Sequence, residues 1–112
     1  MSEIISFEDF TKVDIRIGTI IEVTDFPKAR KPAYQLKIDF GALGIKKSSA
    51  QITGLYSKEF LLERQVVAVV NFKPKQIANF ISECLLLGVA NAQHEIVLLK
   101  TATHIKNGEQ VS

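Results

Sequence analysis

The stretch VVAVVNFKPKQIANFISECLLLG, from Val66 to Gly88, sets two apolar runs on either side of a polar connection. The first run, VVAVV, is rich in β-branched residues, and the second, LLLGVA, continues to Ala90. Because each run is short for a helix, each is predicted to be a buried strand. Pro74 cannot donate to a sheet, so the first strand ends before it. A rigid pair of strands could present the polar connection as a binding surface.

Three strands are predicted before this stretch. In the first, from Asp14 to Val23, one face is formed by alternate residues (Ile15, Ile17, Thr19, Ile21 and Val23). Gly18, in mid-strand, indicates a bulge or a close approach of the backbone. The second strand, Ala33 to Phe40, also alternates, and the third, Ile45 to Thr53, is unusually polar. Its small hydroxyls and its amide indicate either a solvated face or a hydrogen-bonding groove.

Two short helices and one more strand complete the prediction. Ser6 is a candidate cap for a helix that contains Phe7 and Phe10, and Ser57 for a helix within Tyr56 to Glu63. A C-terminal strand is predicted over Glu95 to Lys100. The expected fold class is therefore all-β: a five-stranded OB-fold barrel with a helix between strands 3 and 4, a short N-terminal helix and a C-terminal extension strand. Residues 1–112 form one predicted domain.

The composition excludes several classes of protein. Of the 112 residues, 46% are apolar, which is too many for a disordered chain, and the formal net charge is only +2. One cysteine, Cys84, lies in an apolar run, where a small buried side chain is the expected role. A lone cysteine forms no internal disulfide, and no apolar stretch reaches membrane-spanning length. We therefore expect a cytoplasmic protein without membrane insertion.

No pattern in the sequence indicates catalysis. The histidines, His94 and His104, are ten residues apart and far from Cys84, so they do not have the spacing of metal ligands. Nucleophile-elbow, Walker-type and dinucleotide-binding motifs are missing from the sequence. We therefore expect a binding protein with no catalytic residues, no metal site and no cofactor.

Several separated segments carry a resemblance to a known family. The segments VDIRIG (Val13–Gly18), IDFG (Ile38–Gly41), NFKPK (Asn71–Lys75) and Ser82-Glu83 resemble the tRNA-binding OB-fold domain, which is appended to some aminoacyl-tRNA synthetases and also occurs free. Other segments resemble the CsaA family of small stand-alone proteins within it: Phe26-Pro27, SSAQIT (Ser48–Thr53), AVVNF (Ala68–Phe72) and IVLL (Ile96–Leu99).

The resemblance implies a function. The CsaA family is described as homodimeric, secretion-related chaperones that bind unfolded or export-destined polypeptides and associate with the SecA export motor. The wider family binds tRNA by its shape. Matching positions imply tRNA contacts at Arg16, Asn71, Lys73, Lys75 and Ser82. Phe26 stands where the synthetase pattern has His, and Cys84-Leu85 where it has Gly-Met. The added apolar bulk favours a peptide partner over tRNA.

Three functional hypotheses remain open. A peptide-binding chaperone and a structure-specific tRNA-binding protein would use the same surface, and the third is a bare structural or dimerisation module. The candidate peptide- or tRNA-binding residues are Arg16, Phe26, Lys28, Arg30, Lys31, Ser49, Gln51, Asn71, Phe72, Lys73, Lys75 and Ser82. Lys28, Arg30 and Lys31 lie between two prolines, where a plain solvated loop is the simpler interpretation. The excess of apolar strand residues predicts a homodimer, with interface candidates Phe7, Phe10, Ile96, Val97, Leu98 and Leu99.

Overall fold

The computed structural model describes residues 2–112 and contains nine strands and two short α-helices in that range. The elements are α1 (Phe7–Thr11), β1 (Ile15–Asp25), β2 (Tyr34–Asp39), a 3-10 turn (Gly41–Leu43), β3 (Ile45–Ala50), α2 (Lys58–Leu61), β4 (Gln65–Val69), β5 (Lys75–Ile77), β6 (Phe80–Ser82), β7 (Leu85–Leu86), β8 (Gly88–Ala90) and β9 (Ile96–Leu98). The main sheet has the order β3-β2-β1-β4-β7, and all its pairs are antiparallel. This arrangement confirms the predicted OB-fold class, with α2 between β3 and β4.

The sheet curls until its two ends meet, which makes a nearly closed barrel. The Glu83 N–H donates to the Lys47 carbonyl at 2.7 Å, and the Lys47 N–H donates to Glu83 Oε1 at 2.9 Å. One residue further along, Ser48 Oγ donates to the Cys84 carbonyl at 2.8 Å. Closure is therefore made by a few hydrogen bonds at Lys47 and Ser48, in the middle of β3.

The core lies inside this barrel. Its largest fully buried apolar side chains come from β1, β2 and the residue that follows it, α2 and β4: Ile20, Leu36, Ile38, Phe40, Leu61 and Val66. Cys84 is buried among them, as its apolar flanks predicted. A smaller cluster under the β1–β2 loop consists of Phe26, Ala33 and Phe80. Burial of apolar area on this scale is the main stabilising contribution to such a domain.

The predicted facing of β1 is correct only in its first half. The register of β1 against β2 shifts between Ile20 and Glu22, so a β-bulge lies there. An extra residue moves all later side chains to the opposite face. Before the bulge, Ile20 pairs with buried Ile38 and is itself fully buried. Beyond the bulge, Val23 pairs with buried Leu36, so Val23 shares the core face with Ile20, although the two were predicted on opposite faces. Ile21, at the bulge, is 42% exposed. The close approach predicted at Gly18 is confirmed, because a Cβ there would lie 2.7 Å from the Ile38 and Phe40 side chains.

The second apolar run of the opening stretch is not one buried strand. β7 pairs with β4 for only two residues, and β8 then leaves the barrel to pair with β9 in a separate hairpin. Nothing in the described chain covers the outer side of this hairpin, so Leu85 and Val89 are exposed. The segment predicted as a turn, Gln76 to Phe80, is instead part of the β5–β6 hairpin.

Both predicted helix caps are confirmed. Ser6 Oγ accepts from the Asp9 N–H, and Asp9 Oδ2 accepts from the Ser6 N–H, each at 3.2 Å. Ser57 Oγ accepts from the Phe60 N–H at 3.1 Å. These side chains satisfy backbone donors that a helix start leaves free. Over residues 2–112, none of the helices has the length and apolarity needed to cross a bilayer.

Candidate functional site

A groove of about 860 Å³ lies beside the end of the barrel that the closing hydrogen bonds do not reach. Four parts of the chain form it: the β1–β2 loop, the end of β3 with the residues that follow it, β5, and the run from β7 to β9. Its lining residues are Phe26, Ala29, Arg30, Lys31, Ala33, Ser49, Ala50, Gln51, Ile52, Ile77, Leu85, Leu86, Gly88, Ile96 and Leu98. The groove is therefore mostly apolar, and its charged lining residues are both cationic.

The floor is held by the cluster under the β1–β2 loop. The Phe26 and Phe80 rings lie 5.4 Å apart between centroids, and the Phe26 N–H donates to the Ala33 carbonyl at 3.2 Å. Phe26 is only 4% exposed, so its ring mainly supports the loop from below. Lys47 Nζ lies over the Phe80 ring, 5.4 Å from its centroid. The loop that bears the cations is thus anchored on a packed aromatic pair.

The rim carries the positive charge. Arg30 and Lys31 line the groove, and no Asp or Glu does. Neither of the two cations forms a salt bridge with any residue in the range 2–112. Lys28 is exposed on the same loop but is not among the lining residues. Unpaired cations above an apolar floor attract a ligand that is apolar in part and negatively charged in part.

The polar residues of β3 divide between the core and the groove. Ser48 is buried, with its hydroxyl bonded to the Cys84 carbonyl, whereas Ser49 and Gln51 line the groove. Of the residues predicted for binding, the structure thus brings together Phe26, Arg30, Lys31, Ser49 and Gln51. Ala29, Leu86 and Ile77 were not predicted. Ile77 was missed because its segment was interpreted as a turn.

The burial of Cys84 raises the pKa of its thiol from 9.0 to about 11, through desolvation. Hydrogen bonding by Ser48 opposes the shift but does not cancel it. The thiol is therefore protonated and unreactive at neutral pH. In the part of the chain that the structure describes, no group of three or more His, Cys, Asp or Glu side chains is arranged to hold a metal ion.

The residues implied to contact tRNA lie apart from the groove, and only some of them are free. Phe72 and Lys73 are exposed on the β4–β5 connection, and Lys75 is exposed at the start of β5. Asn71 instead fastens the start of β1: its side-chain oxygen accepts from the Asp14 N–H at 3.0 Å, and its amide donates to the Lys12 carbonyl at 2.8 Å. Ser82 Oγ donates to the Cys84 carbonyl at 3.2 Å.

Arg16 is held by partners within the chain. Its Nε lies 2.6 Å from Asp14 Oδ1, and Nη1 donates to the Gly108 carbonyl at 2.9 Å. The guanidinium therefore ties β1 to the C-terminal segment, which itself pairs with β1 through the Val111 N–H and the Ile15 carbonyl at 2.8 Å. Binding a phosphate at this position would require these contacts to be shared or broken.

The interface candidates are exposed on two sides of the molecule. Phe7 and Phe10 form a pair on α1 with ring centroids 6.0 Å apart, and Phe7 is largely exposed. On β9, Ile96 faces the groove, whereas Val97 and Leu99 line a second cavity of about 400 Å³ beside α2. Leu98 lines both cavities. A strand that is apolar on both faces but covered by no layer of its own chain leaves apolar area in water.

Comparison with solved structures finds two similar chaperones. The chaperone CsaA of Bacillus anthracis str. Ames matches with a TM-score of 0.92 and 48% identity, over 98% of this chain and 100% of that one. The CsaA chaperone of Picrophilus torridus matches with a TM-score of 0.91 and 50% identity, over 97% of this chain and 100% of that one. Likeness at this level extends over almost the entire fold, including the groove.

Comparison with curated proteins finds methionine–tRNA ligases. That of Pyrococcus furiosus is 38% identical over 107 residues, which are 96% of this chain and 14% of the enzyme. That of Porphyromonas gingivalis is 34% identical over 111 residues, or 99% of this chain and 16% of the enzyme. The chain thus spans about one-seventh of the length of these relatives.

The family model described as "Putative tRNA binding domain" matches residues 15–110, from the start of β1 to the C-terminal segment that pairs with it. Its match covers the whole barrel and both cavities, and it agrees with the four sequence segments that carried the resemblance. The chain belongs to the tRNA-binding-domain family and, within it, to the group of the CsaA chaperones.

Proposed function

We propose that this protein is a molecular chaperone that binds unfolded or precursor polypeptides in the groove beside β3, without catalysing a reaction. The observation that carries the proposal is an apolar groove of about 860 Å³ with Arg30 and Lys31 on its rim and no acidic lining residue. Apolar burial does not depend on the order of the side chains, so such a groove accepts many unfolded sequences. Similarity to two CsaA chaperones supports this function.

The proposal extends to oligomeric state and to protein export. The exposed apolar residues of α1 and β9 support a homodimer. The resemblance to the CsaA family supports a role in protein export from the cytoplasm, with the SecA motor as a partner. A chaperone with this role would hold a precursor in an extended state before export.

The first experiment compares one groove variant with a matched control. Ile96→Asp puts a charge on a 37% exposed groove residue, and Ile21→Asp puts the same charge on a 42% exposed isoleucine that does not line the groove. We expect Ile96→Asp to weaken binding of a reduced, unfolded protein about tenfold or more, because an unpaired carboxylate in an apolar site is costly. Ile21→Asp should bind like the unchanged protein in fluorescence anisotropy. Equal binding by both variants would contradict the groove assignment.

A second candidate function is binding of tRNA, favoured by the family match and by exposed Phe72, Lys73 and Lys75 on the β4–β5 connection and the start of β5. If the lysines neutralise phosphates, the logarithm of the tRNA affinity falls steeply with the logarithm of the salt concentration. Lys73→Ala combined with Lys75→Ala should then abolish tRNA binding in filter assays, or flatten the salt slope by about two. Binding of polypeptide should change little in the same salt series. Unaltered tRNA retention by the double variant would rule out this surface.

A further inference from the structure

The hydrogen-bonding direction of β3 can be followed residue by residue. The Phe40 N–H donates to the Gly44 carbonyl at 3.0 Å, next to the register pair of Asp39 with Ile45. In an antiparallel ladder the bonded residues alternate. The even-numbered residues of β3, such as Ser48 and Ala50, therefore bond to β2. The odd-numbered residues direct their N–H and C=O groups to the opposite edge.

Barrel closure engages the backbone of that outer edge at Lys47. The Lys47 N–H donates to Glu83 Oε1, and the Lys47 carbonyl accepts from the Glu83 N–H. Ser49, two residues further on, points the same way, and Gln51 follows directly after the end of β3. No residue in the range 2–112 accepts a hydrogen bond from the N–H of either. The Ser49 carbonyl receives only a 3.4 Å contact from Ser48 Oγ. The groove thus borders a stretch of strand whose backbone donors and acceptors are free.

The two faces of this edge differ in character. Ala50 and Ile52 present apolar side chains toward the barrel interior, whereas Ser49 and Gln51 present polar ones on the outer face. Side chains of neighbouring strands that lie on the same face pack against each other. A strand added here would accordingly place every second side chain on apolar surface and the others on the polar side.

We propose that a bound polypeptide adds a strand to β3 at Ser49 and Gln51, and that the groove prefers segments in which apolar and acidic residues alternate. This inference rests on the proposed chaperone function and specifies its ligand. Strand addition takes its affinity from backbone hydrogen bonds, which suits a partner that binds many sequences. The acidic residues are favoured by Arg30 and Lys31, the cations on the groove lining.

The lining favours a polypeptide over RNA at this place. Single-stranded nucleic acid is held by bases stacked on exposed aromatic rings. The aromatic ring among the groove residues belongs to Phe26, which is 4% exposed and packed on Phe80. A nucleic-acid backbone also has no pattern of donors and acceptors that matches a strand edge.

The test uses a labelled seven-residue peptide, acetylated and amidated, in which four valines alternate with three glutamates. We expect it to bind at least about tenfold more tightly than a peptide of the same composition in blocks, and than the version with lysine in place of glutamate. Two further peptides carry N-methyl groups on the valines only or on the glutamates only. Because a strand that pairs along one edge directs every second N–H to it, one methylated set should lose about tenfold in affinity and the other less than about threefold. Equal affinity of the two sets would overturn the proposal.

Variants of the protein test strand addition independently. Ser49→Pro removes the N–H that points away from β2, and Ser49→Ala keeps it, so only the first should weaken binding of the alternating peptide. Circular dichroism and thermal melting establish that each variant is folded. Arg30→Glu with Lys31→Glu should reverse the preference between the glutamate and lysine peptides. Lys106→Glu, an exposed reversal away from the groove, should leave it unchanged.

The experiments distinguish failure of strand addition from failure of the chaperone function. If unfolded protein binds but the two methylated sets are equal, the chaperone function stands and strand addition is wrong. If neither the unfolded protein nor the peptides bind, both proposals are wrong. If the peptides fail to bind and the Arg30→Glu/Lys31→Glu variant loses tRNA binding, the groove is a nucleic-acid site and strand addition is wrong.

Discussion

Single residues in this chain show how the same side-chain type takes different roles according to its surroundings. Ser48 and Ser49 are neighbours on β3, yet one hydroxyl is buried against the Cys84 carbonyl and the other residue lies in the groove. Arg16 and Arg30 were both predicted from the sequence to bind a ligand. Arg16 is bound to Asp14 and the Gly108 carbonyl, whereas Arg30 has no acidic partner within residues 2–112.

At the residue scale, Cys84 predicts a pH dependence of stability. Its thiol has a pKa of about 11 in the folded chain against 9.0 for an unperturbed thiol. Between these values the folded chain binds more protons than the unfolded chain, so stability falls as pH rises, by up to about 1.4 kcal/mol per pH unit from this one group. Urea unfolding from pH 8 to pH 11 of the native protein and of Cys84→Ala should show the difference. Parallel pH profiles for the two proteins would contradict the burial of the thiol.

At the element scale, the β5–β6 hairpin links a local turn to the groove. Its register pairs Lys75 with Ser82 and Ile77 with Phe80, which leaves Ala78 and Asn79 as the turn. Ile77 lines the groove, and Phe80 supports its floor from the other strand. The hairpin therefore positions one wall of the groove, although its three-residue strands are short.

The hairpin turn carries backbone strain that a glycine would relieve. Ala78 has a φ of 52°, in the left-handed region where a Cβ is unfavourable. Ala78→Gly should raise the free energy of unfolding by about 0.5–1 kcal/mol, since the relief exceeds the added chain entropy of the unfolded state. Ala29→Gly, in a loop position without positive φ, should not stabilise the protein. Denaturant midpoints measure both changes, and a lower midpoint for Ala78→Gly would contradict the prediction.

At the scale of the whole molecule, large apolar side chains are exposed on α1 and around β9. Phe7 on α1, and Val97 and Leu99 on β9, are exposed, and no layer of the described chain packs over them. The groove and the second cavity lie on either side of β9, so both cavities lie next to a candidate interface.

A second copy of the chain is the expected cover for this surface. Light scattering at micromolar concentration should give twice the 12.5 kDa mass of one chain. Phe7→Ser combined with Val97→Asp should shift the mass toward one chain, because a buried carboxylate without a partner opposes association. Phe72→Ser changes another exposed ring, on the β4–β5 connection, and should leave the dimer intact. A monomeric mass for the unaltered protein would refute dimerisation.

The sequence by itself determined the number and order of the barrel strands, the helix between β3 and β4, both serine caps and the buried state of Cys84. These features follow from short-range patterns: alternation, capping residues and apolar runs. Only the tertiary structure decided that a bulge brings Val23 onto the core face with Ile20, that the chain leaves the barrel at Gly88–Ala90, and that the Asn71 side chain is hydrogen-bonded to the Asp14 N–H. It also brought the β1–β2 loop and the end of β3 together into one groove. These outcomes depend on where the sheet closes on itself, and closure joins residues far apart in the chain, which no local pattern records.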